Sequence, residues 1–153
     1  MIHIINYGSG NIRAIGNIYD SLKIPYKIVS KPNEFDNVSK IILPGVGAFD
    51  ETIKTLNKSG FRDKLDSLVI GDKLPVIGIC VGMQILAEDS EEGSQNGLGW
   101  IKGNVKKFDI NKLNEKPKIP HLGWNSIKVV KDNNLFNGID QNYGFYFIHS
   151  YYF

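Results

Sequence analysis

Ile2-His3-Ile4-Ile5-Asn6-Tyr7 is a short run rich in β-branched residues that stops at Gly8-Ser9-Gly10-Asn11, after which Ile12, Ile15, Ile18, Tyr19 and Leu22 recur at helical spacing. The pattern predicts strand, glycine loop, helix. It returns twice: Tyr26-Lys27-Ile28-Val29 reads as a second strand and Lys40-Ile41-Ile42-Leu43 as a third, halted by Pro44-Gly45-Val46-Gly47. Helical stretches follow near Phe49 to Leu56 and Phe61 to Ile70. Pro75-Val76-Ile77-Gly78-Ile79 is a near-continuous apolar run of the kind required of strands buried on both faces, and Met83, Ile85, Leu86 and Ala87 predict a helix beyond it. Strands alternating with helices imply an α/β fold, a doubly wound, mostly parallel sheet with helices on both faces.

After Glu88 the texture changes. Asp89-Ser90-Glu91-Glu92-Gly93 and Gln95-Asn96-Gly97 form a polar loop, and Val105 to Ile110, Ser126 to Val130 and Gly144 to Phe153 read as strands. This is a β-rich extension of one domain spanning residues 1–153, with Lys106 to Lys118 a charged, hairpin-like excursion. The chain stops inside an aromatic strand pattern, Phe145 to Phe153, and an unpaired aromatic strand invites edge-to-edge association. A C-terminally incomplete fold is the expectation.

Composition narrows the function. A chain of 153 residues supports one domain burying roughly 70% of its unfolded surface. Lys+Arg is 18 against Asp+Glu 16, too balanced for binding nucleic acid or a membrane surface through bulk charge. No apolar run approaches the roughly 18 to 20 residues of a membrane span, and Met1 leads straight into the first strand, so the expected compartment is the cytoplasm. The single cysteine, Cys80, excludes an internal disulfide and a cysteine-based zinc cluster.

Gly78-Ile79-Cys80-Val81-Gly82 sets that thiol between two glycines at a strand-to-helix junction, the pattern of a nucleophile elbow with sulfur in place of hydroxyl. Such a turn strains the backbone at the nucleophile, so the residues two positions either side must lack side chains. The helix start supplies N–H groups and a dipole that favour an anion, and the Val81 N–H points where an oxyanion would form. A small core hydrophobe is the alternative fate of a lone cysteine. Gly47 follows the third strand on the same sheet edge, as a second oxyanion donor or as an ordinary turn residue. Gly8-Ser9-Gly10-Asn11 fails the dinucleotide fingerprint because Arg13 stands at the third glycine position, and Asn11 is as well placed for a helix cap as for a ligand. Of the three histidines, His3 reads as structural, whereas His121 and His149 are base candidates without an acidic partner and read better as wall residues.

Tyr7-Gly8-Ser9-Gly10-Asn11, Pro44-Gly45-Val46-Gly47-Ala48-Phe49, Gly78-Ile79-Cys80-Val81-Gly82-Met83-Gln84, Gly97-Leu98-Gly99-Trp100, Pro120-His121-Leu122-Gly123-Trp124-Asn125 and Phe145-Tyr146-Phe147-Ile148-His149-Ser150-Tyr151 together resemble the glutaminase subunits of imidazole glycerol phosphate synthase, a branch of the class I glutamine amidotransferases. The likeness covers the whole chain and implies that family's flavodoxin-like core. It implies Cys80 as nucleophile toward the glutamine side-chain amide, Gly47 and Val81 as oxyanion donors, Gln84, Glu92, Ser150 and Tyr151 as substrate-binding, and Trp124, Asn125 and Tyr146 as interface or gate residues. It implies no cofactor and no metal. The implied partner is a (β/α)8-barrel cyclase forming a heterodimer and receiving the ammonia, with no nucleic acid or membrane involved.

One departure bears on activity. The family draws its base and orienting acid from a Phe-His-Pro-Glu segment, and these 153 residues contain none. General acid-base help is worth about 100- to 10,000-fold, so the chain by itself is expected to be inactive or severely impaired as a glutaminase. Two other readings stand beside this one. One is a related amidotransferase subunit feeding ammonia to an enzyme of surface-sugar amination or amidination. The other is a noncatalytic partner-binding module.

Overall fold

A computed structural model describes residues 1–113, 119–131 and 134–153. The chain forms two compact units, residues 1–106 with Phe153, and residues 107–152. The first is built on a four-stranded sheet in the order β2-β1-β3-β4, from β1 (Ile2–Ile5), β2 (Tyr26–Val29), β3 (Lys40–Gly45) and β4 (Val76–Cys80). All three pairings are parallel, so each strand's loop emerges at the same sheet edge.

Local chemistry explains the helices. The Asn11 side chain accepts the Ala14 N–H at 3.1 Å and starts α1 (Ile12–Ser21), the cap reading of that residue. In α2 (Phe49–Lys58), Asp50 and Glu51 occupy the first turn and Lys58 the last, matching the helix dipole. Phe49, Ile53 and Leu56 lie on its buried side and pack with Phe61 and with Leu65 of α3 (Arg62–Asp66) against Ile5, Val29, Ile41 and Leu43. The helical stretch expected to reach Ile70 does so by widening after Asp66 into a π-turn over Ser67–Gly71, closed by the Asp72 N–H on the Ser67 carbonyl.

Two expectations in this unit need correction. Among the described residues the run from Pro75 to Ile79 is an edge strand with one partner, and Ile77 and Ile79 remain 44% and 39% exposed. Its apolar continuity therefore does not mark burial on both faces. The helix expected through Ala87 ends early: α4 spans only Val81–Gln84. Beyond it the carbonyls of Ile85, Leu86 and Ala87 are taken by the N–H groups of Leu98, Ile101 and Gly99, and this loop competes with helix continuation. Downstream, β5 (Asp89–Ser90) pairs in parallel with β6 (Asn104–Lys107).

In the second unit β7 (His121–Asn125) and β8 (Phe145–His149) form an antiparallel ribbon with His121 opposite His149 and Trp124 opposite Tyr146, and β9 (Tyr151–Tyr152) follows Ser150. The strand expected at Ser126 to Val130 is absent. It finds no partner among the described residues, Val130 lies almost fully in solvent, and the ladder is made instead by the five residues before it. Residues 114–118, within the expected charged excursion, lie outside the described residues.

Candidate active site

Cys80 ends β4 with φ 58° and ψ −125°, a left-handed conformation that costs about 1–3 kcal/mol for a residue with a side chain. Its thiol is exposed. Crowding around the turn explains the flanking glycines. A Cβ on Gly78 would sit 2.5 Å from the Gly82 carbonyl oxygen, one on Gly82 would collide with the Leu43 carbonyl oxygen, and one on Gly45 would sit 2.7 Å from Val81 Cγ1. Three glycines thus let α4 cross directly over β3. Because α4 is a single turn, the electrostatic help at its start comes from first-turn N–H groups rather than from a long helix dipole.

Parallel register sets Gly45 beside Cys80, so the Val46-Gly47-Ala48 loop leaves β3 at the level of the thiol. Gly47 has φ +99°, and a Cβ there would meet nothing within 4 Å. Backbone conformation, not lack of space, requires glycine at this position. The loop is fastened from the loop that follows β1: Ser9 Oγ accepts the Val46 N–H at 3.0 Å and donates to the Val46 carbonyl at 3.1 Å, and the Tyr7 hydroxyl donates to the Pro44 carbonyl at 2.5 Å. Burial pushes the Tyr7 phenol up to about 12, so it remains a donor across the ordinary pH range. Neither Tyr7 nor Ser9 stands out as functional from the sequence, since a side-chain clamp between adjacent loops leaves no spacing signal.

The candidate site residues divide between the two units. Val81 buries its side chain in the core and has only its backbone N–H to offer; Gln84 is buried one helical turn beyond Cys80. Glu92 accepts the Phe49 N–H at 2.8 Å through Oε2 and so caps α2 immediately after the Gly47 loop. Gly47, Cys80, Val81, Gln84 and Glu92 belong to the first unit. An open groove of about 480 Å³ in that unit is lined by Gly10, Ala14, Ile15, Ile18, Pro44, Val46, Ile79 and Cys80.

Ser150, Tyr151, Trp124, Asn125 and Tyr146 belong to the second unit. The β7–β8 ribbon has two unlike faces. Leu122, Trp124, Tyr146 and Ile148 share one and are all exposed, with Trp124 and Tyr146 edge to face at 5.7 Å. His121 and His149 share the other, ring nitrogens 3.0 Å apart, with Phe147 stacked on His121. The Tyr151 carbonyl accepts from His149 Nδ1 at 2.7 Å, which leaves Nε2 of a neutral His149 to accept from His121 Nδ1 and Nε2 of His121 to accept from the Asn125 amide at 3.2 Å. Both imidazoles are therefore engaged, with each other, with the Tyr151 carbonyl and with the Asn125 side-chain amide.

Residues 3–153 match the family model for class-I glutamine amidotransferase. The chain belongs to that family. Within it, the chain is 47% identical over 152 residues to the imidazole glycerol phosphate synthase subunit HisH of Leptospira interrogans, covering 99% of this chain and 74% of that protein. It is 49% identical to the HisH subunit of Bdellovibrio bacteriovorus, over 100% of this chain and 75% of that one, and 43% identical to HisH 2 of Methanococcus maripaludis. A solved glutamine amidotransferase structure superposes with a TM-score of 0.60 at 22% identity, over 75% of this chain and 59% of that chain, a likeness of fold. The α/β class I amidotransferase fold read from the sequence is thereby borne out.

Proposed function

We propose that this chain is the glutaminase subunit of an imidazole glycerol phosphate synthase, releasing ammonia from glutamine for a cyclase in histidine biosynthesis. The Cys80 sulfur attacks the glutamine side-chain amide carbon. The N–H groups of Gly47 and Val81 take the oxyanion of the tetrahedral adduct, the C–N bond breaks as the nitrogen takes up the proton given up by the thiol and leaves as ammonia, and water hydrolyses the glutamyl thioester to glutamate and the free thiol. Gln84 and Glu92 bind the substrate, and the backbone at Ser150 and Tyr151 holds its amino-acid end. The single observation that carries this reading is an exposed cysteine in a left-handed turn between Gly78 and Gly82, in register with the strand end that leads to Gly47.

The ammonia acceptor is a (β/α)8-barrel cyclase, and Trp124, Asn125 and Tyr146 contribute to the contact with it. The exposed apolar row of Leu122, Trp124, Tyr146 and Ile148 supports a docking surface on that ribbon. The three histidines are one buried and two paired, so these 153 residues offer no free imidazole beside Cys80 in the first unit. As an isolated polypeptide the chain is proposed to turn glutamine over poorly.

A diazoketone analogue of glutamine tests the nucleophile without requiring turnover. Mass mapping is expected to locate one adduct on Cys80 and none on a Cys80→Ser chain. Labelling elsewhere, or none under conditions where a simple alkylator reacts, overturns the assignment.

A further inference from the structure

The first turn of α2 and the loop bearing Glu92 exchange carboxylates. Glu92 Oε2 takes the Phe49 N–H at 2.8 Å, while Asp50, the next residue of the helix, turns its own Oδ1 onto the N–H groups of Ser94 at 3.0 Å and Gln95 at 2.9 Å. Ser94 Oγ lies 3.4 Å from Asp50 Oδ2. The fit leaves no slack: a Cβ on Gly93 would run into the Asp50 carboxylate. Those backbone N–H bonds hold the Asp50 carboxyl below its ordinary range.

We propose that Asp50 is a positioning residue for glutamine, fixing the Gly93–Gln95 loop so that the Glu92 carboxylate bridges the start of α2 and the substrate's ammonium group. Glu92 Oε2 is committed to Phe49, and the ammonium is met by Oε1. The inference rests on reading Glu92 as a glutamine ligand. It adds a residue that neither the cysteine elbow nor the Gly47 loop brings to notice, and it ties substrate capture to the residue that follows the Gly47 loop. Without the clasp, a surface glutamate retains several rotamers, and ordering one on binding costs affinity.

The test uses the 153-residue chain and the glutamine concentration that half-protects Cys80 from iodoacetamide. Asp50→Ala is expected to raise that concentration about tenfold, the scale of one charge-assisted hydrogen bond. Asp50→Asn, which keeps an acceptor oxygen where Oδ1 stands, restores it to within about threefold, and Gly93→Ala, which drives a methyl group into the carboxylate, reproduces the loss. In a Glu92→Gln background Asp50→Ala has no further effect, because Asp50 acts through Glu92. The alkylation rate without glutamine stays unchanged in Asp50→Ala and Asp50→Asn, which separates positioning from collapse of the fold. Equal shifts from Asp50→Ala with and without Glu92 overturn the clasp alone. Unchanged protection in Glu92→Gln, or no protection in the unaltered chain, overturns the glutamine reading of Glu92 and the clasp with it.

Discussion

Two rows of side chains cross the parallel sheet on opposite faces. Lys27, His3, Ile41 and Val76 form one, and Ile28, Ile4, Ile42 and Ile77 the other. On the first face α2, α3 and α4 cover the layer: His3 and Ile41 at its centre are completely buried, and Lys27 and Val76 at its edges are part-buried. On the second, α1 lies against β1 and β2: Ile4 and Ile42 are buried while Ile28 at one edge is 38% exposed and Ile77 at the other 44%. The difference separates two tasks. The sealed face supplies the stability, and the open one leaves a groove that reaches the thiol at the carboxyl edge of the sheet.

Substitutions on the two faces should differ in proportion. Gly82→Ala sets a methyl group against the Leu43 carbonyl beneath α4, and is expected to destabilise the chain by about 4 kcal/mol or more, the class of change that prevents folding. Far-UV circular dichroism and urea melts would show it. Leu43→Ala empties a fully buried site in the sealed layer and should lower the unfolding free energy by about 2–5 kcal/mol. Tyr7→Phe strands the Pro44 carbonyl and should cost about 1–3 kcal/mol, together with slower reaction of Cys80 with the diazoketone as the Gly47 loop loses a tether.

His3 sharpens the comparison through pH. Both ring nitrogens are buried without a hydrogen-bond partner among the described residues, and burial lowers its pKa below 6.5 despite the nearby Asp36 carboxylate. The unfolded chain binds a proton that the folded one refuses. His3 therefore leaves stability intact above about pH 6.5 and subtracts from it as the pH falls below that value. His3→Leu is expected to flatten the acid limb of a stability–pH curve from urea melts between pH 5 and 8, and an unaltered limb would contradict the sealed face. The smallest effect belongs to the open face, where Ile77→Thr should change stability by about 1 kcal/mol or less because the site is already half in water. A loss as large as that of Leu43→Ala would erase the distinction.

Much of this arrangement is legible in the chain itself. The four strands of the first sheet follow from β-branched runs, three of them ended by glycine and β2 by Ser30-Lys31-Pro32, and the Gly78 to Gly82 spacing announces the strained turn that the structure contains. What escapes sequence reading is set by partners far away in the chain. An apolar run has the same composition at a sheet's edge as at its centre, so Ile77 and Ile79 gave no warning of exposure. The brevity of α4 depends on N–H groups of residues 98–101, and the cap on Phe49 on a carboxylate 43 positions later. Ser126 to Val130 has strand chemistry but no neighbouring strand among the described residues, whereas His121 to Asn125, less β-branched, has one.

The most direct test of Cys80 as a glutamine-directed nucleophile compares its alkylation rate, by the diazoketone and by iodoacetamide, with glutamine or asparagine present. Glutamine should slow both reactions while asparagine, one methylene shorter, leaves them nearly unchanged. Equal rates with and without glutamine would make Cys80 an exposed thiol and nothing more.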